Sequence, residues 1–379
     1  MHAAATADKR SRMSDQICRW GILSTAGISR KNWHAIKNSG NGVVVAVASR
    51  DAAKAQAYID ECQSEVAFPQ KPRAIGGYAE LLASEDIDAV YIPLPTGLRK
   101  EWVIKAAEAG KHVMCEKPCG VSLADLEEMV AACDENDVQF MDGIMFMHSA
   151  RMDALREVID DGVSIGEMKR IGSQFSFRAP GDFMAGNIRT HSDLEPQGCL
   201  GDLGWYTIRF TLWAMKYAMP KRLSGRMISG HGQDGSPDQV PTEFSAELFF
   251  EGGVSASFYT SFLTEHQQWV NVSGTKGNLQ VSDFVLPFYD SEVAFDVNNS
   301  HFDINGCQFN MERHSRRVPV KEFANNHPNA QETNLFRNFA KLALSGKPDS
   351  HWPEIALKTQ KILDACMESA RNDGALVEL

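Results

Sequence analysis

Apolar residues in the first third of the chain fall into short runs that alternate with amphipathic stretches. The short runs predict β-strands at Arg19–Leu23, Val43–Ala48, Ala89–Pro93, His112–Cys115 and Gln139–Met141. The amphipathic stretches predict a helix that starts near Ile28 and further helices at Ala52–Glu61, Leu98–Ala109 and Leu123–Asn136. Parallel strands need long crossovers, and these crossovers have helical patterning. We therefore expect an α/β fold with a doubly wound parallel sheet.

The pattern changes after about Gly143, where apolar and polar positions alternate along longer segments. This alternation covers Met168–Phe177, Phe244–Phe250, Val254–Phe262 and Trp269–Val272, without helices between the last three. It predicts an α+β domain with a large open, mostly antiparallel sheet. Helices are expected at Ser149–Asp161, Gly201–Ala218, Ala330–Ser345 and Pro353–Arg371. The predicted organisation is a flexible tail over residues 1–16, an α/β domain over 17–142 and the α+β domain over 143–379.

Composition and charge exclude several classes of function. A chain of 379 residues is long enough for two domains, and its formal charge of −11 argues against nucleic-acid binding. No apolar run approaches the roughly 18 residues that span a bilayer, and residues 1–16 lack the apolar core of a secretory signal. The closest cysteines, Cys115 and Cys119, have no His or Cys neighbours that would complete a zinc site. We expect a cytoplasmic protein with free thiols and no metal, membrane or nucleic-acid partner.

The segment between the first predicted strand and the first predicted helix runs Ser24-Thr25-Ala26-Gly27-Ile28-Ser29. In a Rossmann domain, the fingerprint G-x-G-x-x-G at this place lets the backbone approach a dinucleotide pyrophosphate at a helix N-terminus. Here Ser24, Ala26 and Ser29 stand at the three glycine positions. Small residues still permit the approach, and Ser24 and Thr25 add hydroxyl donors for phosphate oxygens. Taken alone, the segment fits an ordinary turn between strand and helix equally well.

The residues after the second predicted strand distinguish the two nicotinamide cofactors. NAD sites commonly place an Asp or Glu there to hold the ribose 2′-hydroxyl, whereas this chain has Ser49-Arg50. The planar guanidinium of Arg50 suits a 2′-phosphate, which a carboxylate would repel. Asp51 follows one position later and is predicted to cap the next helix. The pattern favours NADP, with NAD as the alternative.

Two further segments fall at the carboxyl ends of predicted parallel strands, where ligands bind in open α/β sheets. They are Pro93-Leu94-Pro95-Thr96 and Glu116-Lys117-Pro118. A lysine at this edge can hydrogen-bond a substrate hydroxyl and ease its deprotonation through its positive charge. A solvated surface lysine is the alternative for Lys117. The predicted cofactor-binding residues are Ser24, Thr25, Ala26, Gly27, Ile28, Ser49, Arg50, Pro93, Leu94, Pro95, Thr96, Glu116 and Lys117.

Two stretches together resemble a known family. Residues 19–26 are Arg-Trp-Gly-Ile-Leu-Ser-Thr-Ala, and residues 109–118 are Ala-Gly-Lys-His-Val-Met-Cys-Glu-Lys-Pro. They are similar to the glucose–fructose oxidoreductase / inositol dehydrogenase family (Gfo/Idh/MocA), and within it to the branch of NADP-dependent D-xylose dehydrogenases and dimeric dihydrodiol dehydrogenases. The resemblance extends from Cys18 to Leu379. It implies that Lys117 is the catalytic lysine and that the second domain presents a sheet often used for dimerisation.

The same resemblance assigns roles on a predicted helix of the second domain. In the family, a Gly-rich segment opens a helix that bears an Asp and, four residues later, a His or Tyr. Here these residues are Asp202 and Tyr206, and this spacing places them on one helix face. A phenol has a pKa near ~10, so Tyr206 needs a nearby cation to act as a base at neutral pH, and Lys117 can supply it. Packing of Tyr206 with its aromatic neighbours is the alternative.

Three residues are predicted to contact substrate: Arg99, Arg189 and Trp205. Relatives often have Asn and, three residues later, His where this chain has Thr96 and Arg99, so Arg99 either binds a hydroxylated or anionic substrate or points into solvent. Arg189 lies in the loop before the catalytic helix. His148 and His191 lack metal-ligand spacing and are not predicted to bind metal.

Together these features predict an NADP-dependent dehydrogenase that acts on a sugar-like secondary alcohol or hemiacetal, such as an aldose or trans-dihydrodiol, and forms a homodimer. Lys117, Tyr206 and Asp202 are its predicted catalytic residues. Two alternatives stay open. One is a non-enzymatic dinucleotide sensor on the same fold. The other is a lyase or hydrolase that uses a tightly held nicotinamide for transient oxidation.

Overall fold

The computed structural model describes residues 17–379, so the predicted tail lies outside the described residues. Two compact units are present: residues 17–148 together with 325–357, and residues 149–324 together with 358–379. We call them the first and the second unit. The sequence placed the boundary at residues 142/143 and assigned 325–357 to the second domain. In the structure these residues belong to the first unit.

The strands are β1 Cys18–Leu23, β2 Gly42–Ser49, β3 Arg73–Gly76, β4 Ala89–Ile92, β5 His112–Cys115, β6 Phe140–Asp142, β7 Met168–Ser176, β8 Arg222–His231, β9 Val240–Phe249, β10 Ser255–Ser261, β11 Gln267–Gly274, β12 Asn278–Val281, β13 Val293–Asn305, β14 Gln308–Val320 and β15 Val377–Glu378. The α-helices are α1 Gly27–Ser39, α2 Ala52–Glu65, α3 Tyr78–Leu82, α4 Thr96–Glu108, α5 Leu123–Glu135, α6 Arg151–Asp160, α7 Gly181–Gly186, α8 Trp205–Ala214, α9 Gln331–Ala343 and α10 His351–Arg371. A π-helical turn, Leu200–Gly204, precedes α8.

The first unit contains a six-stranded parallel sheet in the order β3-β2-β1-β4-β5-β6. This topology confirms the predicted doubly wound α/β fold, and all five strands predicted for it are present. The sequence analysis missed β3, because Ile75 is its one buried residue and supplies no apolar run. The prediction that Asp51 caps α2 is also confirmed, since its carboxylate accepts a hydrogen bond from the Ala53 amide at 2.9 Å.

Helix α9 belongs to the first unit because its apolar side packs on the core of the parallel sheet. The Trp20 ring lies 5.2 Å from the ring of Phe336 and 5.1 Å from that of Phe339. Tyr91 on β4 contacts Phe336 edge to face at 5.7 Å. Burial of such aromatic side chains dominates core stability. The periodicity predicted this helix, but it did not predict which domain the helix joins.

The second unit contains a nine-stranded sheet in the order β14-β13-β12-β11-β7-β10-β9-β8-β15. All its pairs are antiparallel except β7 with β10. The predicted large, mostly antiparallel sheet is therefore confirmed. The strands β13 and β14 were not predicted from the sequence. Phe302 and Ile304 on β13 and Phe309 and Met311 on β14 do alternate with polar residues, but residues 300–305 and 308–317 are all exposed, so this alternation does not mark a buried face.

Candidate active site

The loop between β1 and α1 has a backbone conformation that ordinarily requires glycine. Ser24 has a φ of +131° although it is not a glycine, and its amide donates to the Ala48 carbonyl at 3.0 Å. Its hydroxyl oxygen accepts a hydrogen bond from the Ala26 amide at 3.1 Å. Ser24 occupies the first glycine position of the dinucleotide fingerprint, so the chain keeps the turn of that fingerprint without its glycine.

Helix α1 begins at the end of this loop with an open N-terminus. Ala26 is its N-cap and provides no side-chain hydrogen bond. Gly27 and Ile28 are exposed, and a Cβ added at Gly27 would meet no atom within 4 Å. The first amides of a helix carry a partial positive charge and bind anions well. The loop therefore fits a dinucleotide pyrophosphate, as the sequence predicts.

At the end of β2, the buried Ser49 is followed directly by the exposed Arg50. Ser49 is buried, whereas Arg50 points into solvent. Within residues 17–379, the Arg50 guanidinium takes part in no hydrogen bond or ion pair. Asp51, the nearest carboxylate along the chain, caps α2. An exposed arginine with all donors available is what recognition of a 2′-phosphate needs.

The carboxyl ends of β4 and β5 are held by a buried network centred on Glu116. Tyr91 donates a 2.6 Å hydrogen bond to Glu116 Oε1, and Asn32 Nδ2 donates to the Tyr91 hydroxyl at 2.6 Å. The backbone amide of Lys117 lies 3.2 Å from Glu116 Oε2. Burial, and then the charge of Glu116, raise the pKa of Tyr91, so this phenol remains a donor. Glu116 thus orients the segment that carries Lys117.

Arg99 hydrogen-bonds to the backbone that follows β4 and to the backbone that follows β5. Its Nε donates to the Leu94 carbonyl at 2.7 Å, and its Nη1 donates to the carbonyls of Glu116, at 2.9 Å, and Pro118. The side chain is buried, so the alternative that it points into solvent is wrong. Its donors serve backbone carbonyls of the first unit, so the structure does not support the predicted contact of Arg99 with substrate. The several donors of the planar guanidinium let one side chain bond carbonyls on both segments at once.

The other predicted residues of this edge lie together. Pro93, Leu94 and Thr96 are buried beside β5, and the Thr96 hydroxyl lies 3.3 Å from the Pro118 carbonyl. Lys117 is half-buried and is followed by a cis peptide bond to Pro118. Since β1, β4 and β5 are neighbours in the parallel sheet, the phosphate loop and both of these segments share one edge.

In the second unit, Asp202 and Tyr206 lie where two kinds of helix meet. The sequence predicts one helix over Gly201–Ala218, whereas the structure has the π-helical turn with Asp202 and then α8 with Tyr206. Insertions of π-helix occur frequently at functional sites. Tyr206 is the one residue of α8 that is not buried, and its ring packs edge to face on Phe175 at 5.5 Å. The helix therefore presents Tyr206 while its other side chains form the core.

Arg189 forms an ion pair with Asp202. Its Nε lies 2.8 Å from Asp202 Oδ2, and Asn187 Oδ1 accepts a hydrogen bond from the Arg189 amide at 3.1 Å. The charge of Asp202 is the main cause that raises the pKa of Arg189, and Tyr206 contributes a smaller effect of the same sign. By reciprocity, the guanidinium favours the ionised forms of both Asp202 and Tyr206. The sequence analysis assigned Arg189 to substrate, and the structure gives it this carboxylate partner.

Trp205 differs from the expectation as well. Its side chain has no exposed surface, and the Arg209 guanidinium lies 5.9 Å from its ring centroid. The structure places it among the core residues of α8, which does not support the predicted contact with substrate.

Sequence reasoning missed the bonds that Glu116 receives from Tyr91 and Asn32. These partners precede it by 25 and 84 residues, so no local spacing links them. The pair of Arg189 and Asp202, 13 residues apart, was likewise invisible. The one available signal was that Arg189 precedes, and Asp202 lies within, the Gly-rich segment that opens the helix.

In the part of the chain that the structure describes, no three or more His, Cys, Asp or Glu side chains come together as a metal site. None of the helices described there is both long and apolar enough to cross a membrane. All eight cysteines are free, and Cys307 is the exposed one among them.

These features define a class of protein: an oxidoreductase with a dinucleotide-binding parallel sheet and a second, largely antiparallel domain. A family model described as an oxidoreductase family with an NAD-binding Rossmann fold matches residues 18–144. A model of the GFO/IDH/MocA C-terminal domain matches residues 152–280. The chain belongs to the Gfo/Idh/MocA family of oxidoreductases.

Relatives from the predicted branch of the family confirm the narrower resemblance. An NADP(+)-dependent D-xylose 1-dehydrogenase from Haloferax volcanii is 29% identical over 362 residues, which cover 95% of this chain and 99% of the relative. The mouse trans-1,2-dihydrobenzene-1,2-diol dehydrogenase is 31% identical over 273 residues, covering 71% of this chain and 76% of the relative.

A solved structure shares the fold. A 3-ketoreductase from Actinomadura kijaniata, determined with NADP and TDP-benzene, superimposes with a TM-score of 0.77 at 24% identity, covering 93% of this chain and 98% of the other. At this identity the match establishes the fold alone.

Proposed function

We propose that this protein is an NADP-dependent dehydrogenase or reductase that transfers hydride between the nicotinamide and a sugar-like secondary alcohol or hemiacetal. The observation that carries the proposal is Tyr206, the one side chain of α8 that is not buried, beside the Arg189–Asp202 ion pair. Lys117, at the carboxyl edge of the parallel sheet, provides the second functional group. Relatives named for D-xylose and for a trans-dihydrodiol support this class of substrate.

The first unit fits NADP better than NAD. The loop at Ser24 has the backbone turn that a pyrophosphate needs, and the N-terminus of α1 is open. Arg50 is exposed with its donors available, while the nearest carboxylate, Asp51, is engaged in capping α2. A 2′-phosphate would gain charge-assisted hydrogen bonds from Arg50 and meet no competing anion.

The proposed chemistry divides the work between three side chains. Bound NADP supplies or accepts the hydride. In the oxidative direction, Tyr206 accepts the proton of the reacting hydroxyl, and Lys117 hydrogen-bonds that hydroxyl and favours its deprotonation. Asp202 orients the substrate or the lysine. Arg189 acts through Asp202 and so is a positioning residue.

A substrate panel tests this assignment against its two alternatives. We would follow the absorbance of reduced nicotinamide with aldoses, dihydrodiols, inositols and nucleotide-linked keto sugars as substrates. Net formation or consumption of NADPH with any of them supports the dehydrogenase. Product formation without net NADPH, with cofactor that survives dialysis, indicates a lyase or hydrolase. Cofactor binding without turnover of any substrate indicates a sensor.

The variant Lys117→Met tests the catalytic assignment directly. We expect turnover to be lost while the affinity for NADP stays within a few-fold of the wild type, because the ammonium acts on substrate rather than on the phosphates. Lys105→Met is the matched control, since Lys105 is an exposed lysine of α4 paired with Glu101. Undiminished turnover in Lys117→Met refutes the assignment.

The predicted homodimer through the sheet of the second unit stays a prediction.

A further inference from the structure

Two connections of the second unit, residues 178–197 and 231–240, are hydrogen-bonded to each other, and we call them the paired loops. Gln233 Nε2 donates to the Asn187 carbonyl at 3.3 Å. The Asn187 side chain in turn accepts a hydrogen bond from the Arg189 amide at 3.1 Å. Through Arg189, both loops border the ion pair that lies beside the proposed catalytic tyrosine. Their charges therefore act on any molecule that binds there.

The guanidinium of Arg189 is already engaged by carboxylates of the second unit. Its Nε lies 2.8 Å from Asp202 Oδ2, and the charge of Asp202 is the main cause that raises the pKa of Arg189. The charge of Glu195, whose side chain is buried, raises that pKa further. Because one positive charge faces two negative ones, Arg189 offers little net attraction to a further anion.

The paired loops contain one other Lys or Arg, Arg178, and strand geometry directs it away from Tyr206. The ring of Phe175 on β7 packs against Tyr206 at 5.5 Å. The extended conformation continues past the end of β7, because the amides of Phe177 and Ala179 donate at 3.0 and 2.8 Å to carbonyls at the end of β10. Side chains alternate between the faces of a strand, so Arg178 lies on the face opposite to that of Phe175.

Carboxylates outnumber cations in the paired loops. Five Asp or Glu occur there, namely Asp182, Asp193, Glu195, Asp234 and Asp238. The four aspartates are exposed, and within residues 17–379 none of them forms an ion pair. Their negative charges are therefore balanced only by solvent and salt. At low ionic strength such charges act over distances of about 10–30 Å, which spans a substrate pocket.

A phosphate group on the substrate would meet this negative field without an available cation in the paired loops. The proposed function assigns Lys117 to the reacting hydroxyl. An uncharged substrate experiences no such repulsion, and its hydroxyls can donate to Asp202 and to the Tyr206 oxygen. Juxtaposed like charges are an effective way to reject a wrong partner. The charges around this site thus favour neutral over anionic substrates.

We propose that the substrate is an uncharged polyhydroxylated molecule, and that the paired loops exclude sugar phosphates and nucleotide-linked sugars by their charge. This inference rests on the proposed function and narrows its class of substrate. Family membership alone permits both kinds of substrate, since one relative is a D-xylose dehydrogenase and another was determined with TDP-benzene.

The first test compares kcat/KM for uncharged and anionic substrates at saturating NADP. The uncharged group is D-xylose, D-glucose, methyl α-D-glucoside and trans-benzene dihydrodiol, and the anionic group is D-glucose 6-phosphate and TDP-glucose. We expect kcat/KM to be at least about 100-fold higher for the best uncharged substrate than for either anionic one. Raising the ionic strength from about 20 mM to about 300 mM should reduce this ratio several-fold, because salt screens exposed charges.

A second test removes charge from the paired loops. In Asp193→Asn/Asp234→Asn the ratio of kcat/KM for D-glucose 6-phosphate to that for D-glucose should rise about 5-fold at low ionic strength. Asp303→Asn/Asp373→Asn is the matched control, since it removes two exposed aspartates elsewhere in the second unit and should leave the ratio unchanged. The dependence on salt is measured on the wild type, so the proposal stays testable even if a variant folds poorly.

The outcomes separate this inference from the proposed function. Equal or higher kcat/KM with the anionic group overturns the inference and leaves the dehydrogenase in place. A preference for uncharged substrates that neither salt nor the loop variant changes also overturns it, because the exclusion then comes from shape rather than charge. Absence of turnover with every substrate of both groups refutes the proposed function, and this inference with it.

Discussion

The ion pair between Arg189 and Asp202 gives a prediction that separates charge from geometry. Arg189→Gln removes the cation that faces Asp202 but keeps a polar side chain of similar length. Arg189→Lys keeps the charge but cannot reproduce the planar fork. If Arg189 acts on the active site through Asp202, these two variants should lose activity with different pH dependences.

The size of the effect follows from the contact. A hydrogen bond to a charged group contributes about 1.5–3 kcal/mol when its partner is largely removed from water. The Asp202 side chain is 12% exposed and that of Arg189 is 39% exposed, and their Nε–Oδ2 distance is 2.8 Å. We take about 2 kcal/mol because the arginine is partly solvated. If this stabilisation of about 2 kcal/mol is lost entirely from the transition state, kcat should fall roughly 30-fold.

The pH dependence has a definite sign. The positive charge of Arg189 favours ionised Asp202 and ionised Tyr206, so its removal raises the pKa of both groups. A base must be ionised to accept a proton, and the oxidative rate therefore rises with pH through its pKa. In Arg189→Gln the acid limb of the kcat profile should move to higher pH, so the deficit is largest at low pH. In Arg189→Lys the limb should stay near its wild-type position.

The assay is the rate of NADPH formation across pH 6–10 with the substrate identified by the panel, together with thermal unfolding of each variant. Arg371→Gln, which removes an exposed arginine of the second unit, is the control. Wild-type kcat with an unmoved acid limb in Arg189→Gln would refute the positioning role. Equal limb shifts in Gln and Lys variants would show that geometry, rather than charge, is what Arg189 supplies.

Three further predictions concern the first unit. Ser24→Gly should be about 1 kcal/mol more stable to unfolding than Ser24→Ala. Both variants lose the same hydroxyl, but a φ of +131° costs a non-glycine residue about 1–3 kcal/mol. Equal stability of the two variants would show that no strain is stored at this position. Arg50→Ala should raise the KM for NADP by roughly 10–100-fold and leave the KM for NAD within two-fold of the wild type. Lys54→Ala, which removes an exposed lysine, is the control. Equal changes in KM for both cofactors would count against recognition of the 2′-phosphate by Arg50. Arg99→Met should lower the free energy of unfolding by about 3 kcal/mol or more, because it leaves carbonyls on two segments without their donor. A chemical denaturation midpoint equal to that of the wild type would contradict this prediction.

Local patterning predicted most of the parallel sheet but not all of its members. His112–Cys115 was predicted with the bounds it has, because its apolar run is too short for a helix and lies between Gly110 and Pro118. The strand Arg73–Gly76 was missed, since it lies at the sheet edge and buries only Ile75. The β13–β14 hairpin was missed although Phe302, Ile304, Phe309 and Met311 alternate with polar residues; its outer half is exposed on both faces, so burial does not fix these strands.

For the candidate site, the sequence predicted where the residues lie in the fold but not which groups they bond to. Lys117 was placed correctly at the carboxyl end of a parallel strand, since that follows from the order of elements. The burial of Arg99 against two strand ends was not predicted, because its partners are backbone carbonyls, which leave no signature in a sequence. The pairing of Arg189 with Asp202 was likewise hidden.

The sequence by itself determined the class of each domain, the phosphate loop and the residues at the strand ends, because these depend on periodicity and on contacts between near neighbours in the chain. Only the tertiary structure decided that residues 325–357 join the first unit. The spacing of apolar residues in α9 shows that one face must be buried, but not that Trp20 and Tyr91 provide the surface that buries it. Complementary shape between segments some 300 residues apart arises only when the chain is folded.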